Sequence, residues 1–485
     1  LKILNSYYGI YYKNTDTSVL QNIHFDSNAY SSLYTLYNSG SDYCDSLTIT
    51  NCFIEKSWYA LYISYTNDIK IINNYFHDNY SSGINASYSN LITIQNNYFD
   101  GALNADYGIS LGSSSNSCSV LQNTFINHTS NVLNINAGDT IIINGNIING
   151  GSQGIRMASS SKRGYEITEN IISNATGYGI YCQPGATVEM LISKNTISFT
   201  PTGIYSMINQ YINIRNNFIT NSTNYGMNIL LAAGNAFEQN TFDSSGQYAL
   251  YITSGAAVPV SSTRNNYLKG FSVNDSGVFN NYNNYIDLSY SFWGTTDSNV
   301  IYNKMGGNYG DSIIYLPFRT SIIDTASGAD TVAPYPPDFI LCDTSLISQV
   351  VLKWSKPSFD EDSGILTGLS GYRLYRCDHS DTNDWEHYLI AVITDENDTD
   401  YIDTDLSESN ENYYYRVVAF DSHYTNGTNF QNRSWYSSIL KTSTITNSVP
   451  SCTISIPSDG ETYGQNVSCT FVISDPDDNK CTLTV

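Results

Sequence analysis

Ile71-Ile72-Asn73-Asn74-Tyr75-Phe76 returns 23 residues later as Ile94-Gln95-Asn96-Asn97-Tyr98-Phe99. The shared pattern is an aliphatic residue, an Asn three positions on, and an apolar residue two beyond that. Carried forward, the Asn column reads Asn74, Asn97, Asn123, Asn146, Asn170, Asn195, Asn217, Asn240 and Asn266. It advances 192 residues in eight steps, a mean of 24, with single steps of 22 to 26. Ile71, Ile94, Val120, Ile143, Ile167, Ile192, Ile214, Phe237 and Thr263 precede the anchors. Phe76, Phe99, Phe125, Ile148, Ile172, Ile197, Ile219, Phe242 and Leu268 follow them. About nine residues after an anchor, a Gly or Ala precedes an apolar residue, as in Gly83-Ile84, Gly154-Ile155 and Ala249-Leu250.

A fixed period of this length marks a stacked repeat. One coil cannot close a core, but stacked coils bury a shared one. Like positions then superpose at about 4.8 Å, the spacing of paired strands. Aliphatic and Phe columns fill the interior, the Asn column forms an amide ladder in a turn, and the Gly column marks close approach or positive φ. Cys52 and Asn22 continue the anchor column toward the N-terminus, with an insertion at residues 31–45. Eleven anchors predict a rod of roughly 50 Å. The segment resembles the right-handed β-helix repeats of the pectin-lyase-like superfamily. The expected fold is therefore all-β, a right-handed parallel β-helix followed by β-sandwich domains.

The chain has 485 residues, too many for one core. Its 44 acidic and 21 basic side chains give a net charge of -23. That balance excludes nucleic acid as a partner, since phosphate binding needs a basic patch. Only 13% of residues are charged, against about 25% in typical soluble domains. Polarity comes instead from 56 Asn and 42 Tyr, among others. No apolar run approaches the roughly 20 residues of a membrane helix. The chain begins at Leu1 without a signal peptide, which reads as a processed or partial chain.

The repeat dissolves at residues 280–322, around Ser291-Phe292-Trp293-Gly294 and Tyr315-Leu316-Pro317-Phe318. This stretch resembles the C-terminal cap of β-helix domains in secreted surface proteins, and a cap blocks an aggregation-prone sheet edge. The expected rod with its cap is thus 1–322, followed by a linker at 323–335 with Pro334. Val350-x-Leu352-x-Trp354, Gly371-Tyr372-x-Leu374-Tyr375 and Tyr413-Tyr414-Tyr415-x-Val417-x-Ala419 alternate like sandwich strands. They resemble a fibronectin type III module, placed at 336–445. Residues 446–485, from Cys452-Thr453-Ile454 to Asp475-Pro476-Asp477, resemble the incomplete start of an immunoglobulin-like domain.

Many parallel β-helices cleave polysaccharides, and such chemistry needs carboxylates at defined separation, or a base with a cation. The outward columns two and four before the anchors contain no adjacent carboxylates. Arg215, Glu238 and Arg264 fall on successive coils and read as an ion-pair ladder. No catalytic residue is assigned, and the chain reads as a non-enzyme.

Binding has more to work with. Outward of the Gly column lie Tyr62, Arg156, Tyr181, Tyr205 and Tyr251, with Tyr181 and Tyr205 expected to stack beside Arg156. Such aromatic rows meet sugars or partner proteins, although Tyr pairs also simply stabilise sheets. Residues 301–485 hold 26 acids against 10 bases. Asp360-Glu361-Asp362 and Asp395, Glu396, Asp398 are expected at one end of the sandwich, where their oxygens suit calcium. Ten Asn-x-Ser/Thr sequons occur, and Asn79, Asn127, Asn174 and Asn221 share one turn edge as glycosylation candidates. Cys342 and Cys377 form a candidate disulfide, as do two of Cys452, Cys469 and Cys481. Cys52, Cys118 and Cys182 fall on interior columns.

These readings predict an extracellular, cell-surface structural or adhesive protein, a subunit of a surface layer, appendage or filament. Its partners would be further copies or other surface proteins, possible cofactors being limited to calcium. The alternatives are a secreted polysaccharide lyase or glycoside hydrolase, and a non-polymerising carbohydrate-binding adhesin.

Overall fold

A computed structural model describes residues 1–13, 16–35, 44–102, 107–112, 114–158, 164–183, 187–207, 210–231, 235–255, 262–268, 277–325, 330–344, 349–361, 363–379, 385–406, 412–425, 428–443, 451–455 and 470–474. The chain divides into two compact units, 1–331 with 423–431, and 332–422 with 432–485.

The first unit is a parallel β-solenoid. Each coil contributes one strand to each of three sheets, so every third strand pairs with the next. One coil runs Asn90–Gln95, Tyr98–Asp100 and Tyr107–Leu111. The sheets hold 10, 12 and 13 strands respectively. Period-two alternation sends Ile92, Ile94, Phe99, Ile109 and Leu111 inward to near-complete burial. Like residues then stack, Phe76 on Phe99 at 4.4 Å and Phe99 on Phe125 at 4.7 Å.

The turn between the 10- and 12-stranded sheets has two residues. The first takes left-handed φ, as at Asn73, Asn96, Gln122 and Glu169. The second is the anchor. Asn97 Oδ1 accepts from the Asn74 backbone N–H at 2.8 Å and from Asn74 Nδ2 at 3.0 Å. Asn97 Nδ2 passes the pattern to Asn123 Oδ1 at 3.0 Å. The ladder continues in this way through Asn240 to Asn265.

Two anchors therefore move by one residue. Asn265, not Asn266, receives the Asn240 donors. The interior residue below Phe242 is then Tyr267, stacked at 5.4 Å, rather than Leu268. At the other end, Phe25 pairs with Ile54, which puts Ile23 in the column in place of Asn22. Arg264 consequently leaves the Arg215–Glu238 row; it takes left-handed φ at the turn and lies over the Tyr290 ring. Residues 31–35 and 44–50 are regular strands, so the extra length of that coil falls at 36–43, outside the described residues.

The Gly column serves close approach. A Cβ on Gly154 would lie 2.6 Å from Ile172 Cγ2 and 2.7 Å from the Gly179 carbonyl oxygen. Beyond the last full coil, buried Trp293 stacks on Tyr267 at 4.3 Å. Met305–Gly306 and Ile313–Ile314 add final strand pairs. The segment expected as a linker instead returns along the rod. Asn266 and Ile323 exchange two hydrogen bonds, the Thr325 carbonyl accepts from Asn216, and Gln239 donates to Thr331.

The second unit is built of antiparallel sheets. Phe339–Asp343, Val350–Trp354 and Asp400–Asp403 form one. Leu389–Ile393, Leu369–Cys377 and Asn412–Thr425 form another, with Leu440–Ser443 paired to its long strand. Trp354, Tyr372, Tyr415 and Val417 share the core. Ser451–Ser455 and Thr470–Ser474 make a separate hairpin. Among the described residues no helix is long and apolar enough to cross a membrane.

Candidate functional site

The outer face of the 13-stranded sheet carries the expected binding column in register. Tyr62 pairs with Asn85, Arg156 with Tyr181, Tyr181 with Tyr205, and Asn228 with Tyr251. Tyr181 and Tyr205 stack at 5.1 Å with planes 8° apart. Arg156 is held beside them by Asn134 Oδ1 at 2.8 Å and Gln183 Oε1 at 2.7 Å. The predicted residues nevertheless do not form one site. They fall into two aromatic patches separated by Asn85, Ser110 and Asn134.

The N-terminal patch stacks Tyr11, Tyr34 and Tyr62, at 5.6 and 5.0 Å. Tyr8, Tyr30 and Tyr59 pack against that row. Burial and the surrounding tyrosines push the Tyr30 hydroxyl up to about 12. The C-terminal patch holds two ring clusters, Tyr178 with Tyr181 and Tyr205, and Tyr225 with Tyr248, Tyr251 and Phe279, with Asn228 between them on the column. In both, near-parallel rings one strand apart cover much of each other's faces. The patches thus offer ring edges and hydroxyls more than open π faces.

A second surface, on the 12-stranded sheet, was not read from the sequence. Three positions after the anchor column stand Asp26, Glu55, His77 and Asp100, paired in register on successive coils. Asp26 and Glu55 are adjacent carboxylates on a column other than the two read for such pairs from the sequence. The columns read earlier belong to the 10-stranded sheet; this row lies around the next turn. His24 Nε2 donates to Glu55 Oε1 at 2.8 Å, and Lys56 lies 3.1 Å from Glu55 Oε2. Ligand atoms of His24, Asp26 and Glu55 all lie within 4.8 Å of one another. His77 Nδ1 is 3.4 Å from Asp100 Oδ2.

Beside this row Phe53, Tyr75 and Tyr98 stack at 5.1 Å per step. They wall a shallow groove of about 470 Å³ whose other bank is Asn51, Asn73 and Asn96. The Ser27 hydroxyl holds Asp26 below its ordinary carboxylate pKa. Burial raises Glu55, but the His24 and Lys56 hydrogen bonds outweigh it and leave it lowered. Asp100 is likewise raised by burial and lowered further by Asn127, the Ala102 N–H and His77. All three are carboxylates at neutral pH. They attract cations and accept hydrogen bonds, whereas a general acid for glycosidic cleavage needs a raised pKa.

The remaining expectations fare unevenly. Asp395 caps its own loop through the Asn397 N–H at 2.9 Å, and Glu396 pairs with Lys356 at 3.1 Å. Glu361 Oε1 accepts from the Trp435 N–H at 3.3 Å. Among the described residues, Asp360, Glu361, Asp395, Glu396 and Asp398 do not gather into a cluster of ligands; Asp362 lies outside those residues.

Cys342 and Cys377 are both free thiols. Cys342 packs on the core shared with Trp354, whereas Cys377 belongs to the Tyr375–Trp385–Val418 cluster, so the candidate disulfide is corrected. The side chains of Cys452, Cys469 and Cys481 lie outside the described residues. Cys52, Cys118 and Cys182 are buried in the solenoid as expected.

Asn127, Asn174 and Asn221 are exposed at the expected edge. Asn79 is corrected. It sits one position deeper, 3% exposed, with Nδ2 donating to the Ile54 carbonyl at 3.1 Å, which leaves no room for a glycan.

Comparison with curated proteins finds no match. Among solved structures, the catalytic unit of a thermostable GH87 α-1,3-glucanase from Streptomyces thermodiastaticus strain HF3-3 aligns at 12% identity and a TM-score of 0.32. That alignment covers 66% of this chain and 63% of the glucanase unit, so this chain spans less than two thirds of its length. ORF18 of Geobacillus virus E2 aligns at 9% identity and a TM-score of 0.24, over 89% and 68% of the two chains. Neither likeness is close enough to carry a functional argument. The right-handed β-helix region family matches residues 1–148 and 153–315, most of the solenoid unit. The unbroken amide ladder, the three parallel sheets and this match together make the chain a member of the right-handed β-helix family.

Proposed function

We propose that this is an extracellular structural or adhesive protein, a subunit of a surface layer, appendage or filament. The β-helix acts as a stiff rod, and its 13-stranded sheet is the contact face. The antiparallel unit, read as a fibronectin type III module, and the following immunoglobulin-like start serve as spacers. The observation that carries this reading is the pair of tyrosine patches on the outer face of one sheet. Their rings cover each other's faces, so they suit packing against another protein surface better than stacking on a sugar ring, which needs an open π face. A second copy of the chain, or another surface protein, is the expected partner.

Electron microscopy and sedimentation of the full chain test this. The unaltered protein should form ordered assemblies, and a Tyr181→Ala/Tyr205→Ala variant with unchanged circular dichroism should form fewer. Dispersed single rods for the unaltered protein under all conditions would sink the reading.

A second reading, a secreted polysaccharide lyase or glycoside hydrolase, is favoured by one observation. Asp26 and Glu55 stand on adjacent coils near the Phe53–Tyr75–Tyr98 groove. It ranks below the first because both carboxyls have lowered pKa values. Release of reducing ends or unsaturated sugars from a polysaccharide panel, abolished by Glu55→Gln, would reverse the order.

A further inference from the structure

The turn leading from the 12-stranded to the 13-stranded sheet begins with a corner residue just after the short strand. Along the solenoid the corner residues are Asn5, Ser27, Lys56, Asp78, Gly101, Asn127, Gly150, Asn174, Phe199, Asn221 and Ser244. Most take left-handed φ, 59° at Asn127, 57° at Asn174 and 51° at Asn221. That conformation alone favours Asn or Gly. It does not favour any residue two positions later. Yet Thr129, Thr176 and Thr223 follow Asn127, Asn174 and Asn221, and no other corner has a Thr there. After Asn5 comes Tyr7; after the others come Ala29, Trp58, Tyr80, Leu103, Ser152, Pro201 and Gly246. The Asn and the Thr occur together as a unit.

These three units also sit on every second coil. Ile126, Asn149, Ser173, Ser198 and Thr220 pair in succession, so Gly150 and Phe199 occupy the intervening corners. The acceptors are therefore two strand spacings apart, about 10 Å. All three Asn and all three Thr are exposed. Asn127 Nδ2 donates to Asp100 Oδ1 at 2.9 Å, and Asn174 Nδ2 to Asn149 Oδ1 at 2.7 Å. A substituted amide keeps one N–H, enough to preserve such a bond.

We propose that Asn127, Asn174 and Asn221 are N-glycosylation acceptors, carrying a row of glycans on alternate coils along one corner. The donor class is a polyprenyl-diphosphate-linked oligosaccharide. The Asn Nδ2 forms a bond to the anomeric carbon, the carbon–oxygen bond to the diphosphate breaks, the polyprenyl diphosphate leaves, and the amide loses one proton. The row borders the C-terminal tyrosine patch, since Asn174 precedes Tyr178 by four residues and Asn221 precedes Tyr225 by four. Beside the N-terminal patch the corners are Asn5, Ser27 and Lys56, none followed two positions later by Ser or Thr, so the row does not extend along that patch. This inference rests on the extracellular reading above.

The full chain, secreted from a host with an oligosaccharyltransferase, is treated with peptide N-glycosidase in ¹⁸O water and mapped by mass spectrometry. Labelled Asp is expected at Asn127, Asn174 and Asn221. It is not expected at Asn79 or Asn432, each 3% exposed. Asn397, exposed in the second unit, reports whether the transferase acted. Thr176→Val should remove one glycan and leave two. Labelled Asn397 with bare rod sites, label at Asn79 in the folded fraction, or a folded secreted chain without label would each overturn the proposal. Fractionation of the native source tests the extracellular reading separately, so the two failures are distinguishable.

Discussion

Two interior turn columns run along the solenoid, and only one closes on itself. The first is the amide ladder from Asn74 to Asn265, where each Oδ1 accepts from the coil before and each Nδ2 as far as Asn240 donates to the coil after. The second lies five residues beyond the anchors and changes type along the rod: Asn28, Ser57, Asn79, Ala102, His128, Gly151, Ala175, Thr200, Ser222 and Ser245. Where neighbours match chemically it behaves as a ladder, as when the Ser57 N–H donates to Asn79 Oδ1 at 3.2 Å. Further along, the hydroxyls of Thr200, Ser222 and Ser245 are buried and have no hydrogen-bond partner among the described residues, while the His128 ring is buried beside Asp100 and the Phe99 backbone. A buried polar column is stable when each member supplies what the next one needs.

The largest expected effect breaks the closed column at its centre. Asn146 Oδ1 accepts the Asn123 N–H at 2.9 Å and Asn123 Nδ2 at 3.0 Å. Asn146 Nδ2 donates to the Val120 carbonyl at 2.8 Å and Asn170 Oδ1 at 2.9 Å. Asn146→Ala strands several buried groups at once, and the solenoid should lose on the order of 4 kcal/mol. The shift in the urea midpoint measures this. A loss below about 1 kcal/mol would mean the ladder's amides contribute no more than isolated hydrogen bonds.

The closed column was legible because it repeats. Asn, aliphatic and Phe positions recur every coil, and any one of them predicts the rest. Register slipped only where two Asn stand together, at Asn265-Asn266, or where Asn22 precedes Ile23. In both places the decision rests on which neighbour fills the interior, Tyr267 rather than Leu268 in the first case. The acidic row was equally periodic but lay around one further turn, three positions after the anchors. Asp26, Glu55, His77 and Asp100 would have announced it had that column been read. The second unit has no repeat to average over. Whether Cys342 and Cys377 face one another depends on which side of a sheet each occupies, and spacing alone does not settle that.

The second effect sharpens the cost of the open column through pH. Burial drives the His128 pKa down from 6.5 to about 4, opposed only partly by Asp100 and the Phe99 carbonyl. The unfolded chain takes up this proton more readily than the folded one. The stability contributed by neutral His128 is therefore complete above about pH 6.5 and is lost as pH falls toward 4. The full span is about 3 kcal/mol. His128→Gln, compared with the unaltered chain at pH 7 and pH 4, should lack this part of the acid sensitivity. Parallel pH dependences would show that the imidazole is not the group responsible.

A smaller effect tests packing between the columns. The Cβ of Gly154→Ala would meet Ile172 Cγ2 and a backbone carbonyl at 2.7 Å or less. Because the carbonyl belongs to the next coil, neither contact relieves without moving a strand. A loss of about 2 kcal/mol is expected, as for other overpacked cores. An unchanged midpoint would mean that the coils slide apart freely at this corner.

The smallest effect is the most informative about the open column. The Ser222 hydroxyl is buried, and among the described residues its oxygen has no hydrogen-bond partner. Removing it takes away a desolvated polar group and no bond, so Ser222→Ala should change stability by less than about 0.5 kcal/mol, or raise it. Ser222→Asn sets the harder test, because its neighbours Thr200 and Ser245 offer hydroxyls in place of amides. If a lone Asn destabilised there while Asn at 200, 222 and 245 together restored the midpoint, the benefit would belong to the run and not to the residue. That coupling, read as a departure from additivity in the triple variant, separates a ladder from a row of independent hydrogen bonds.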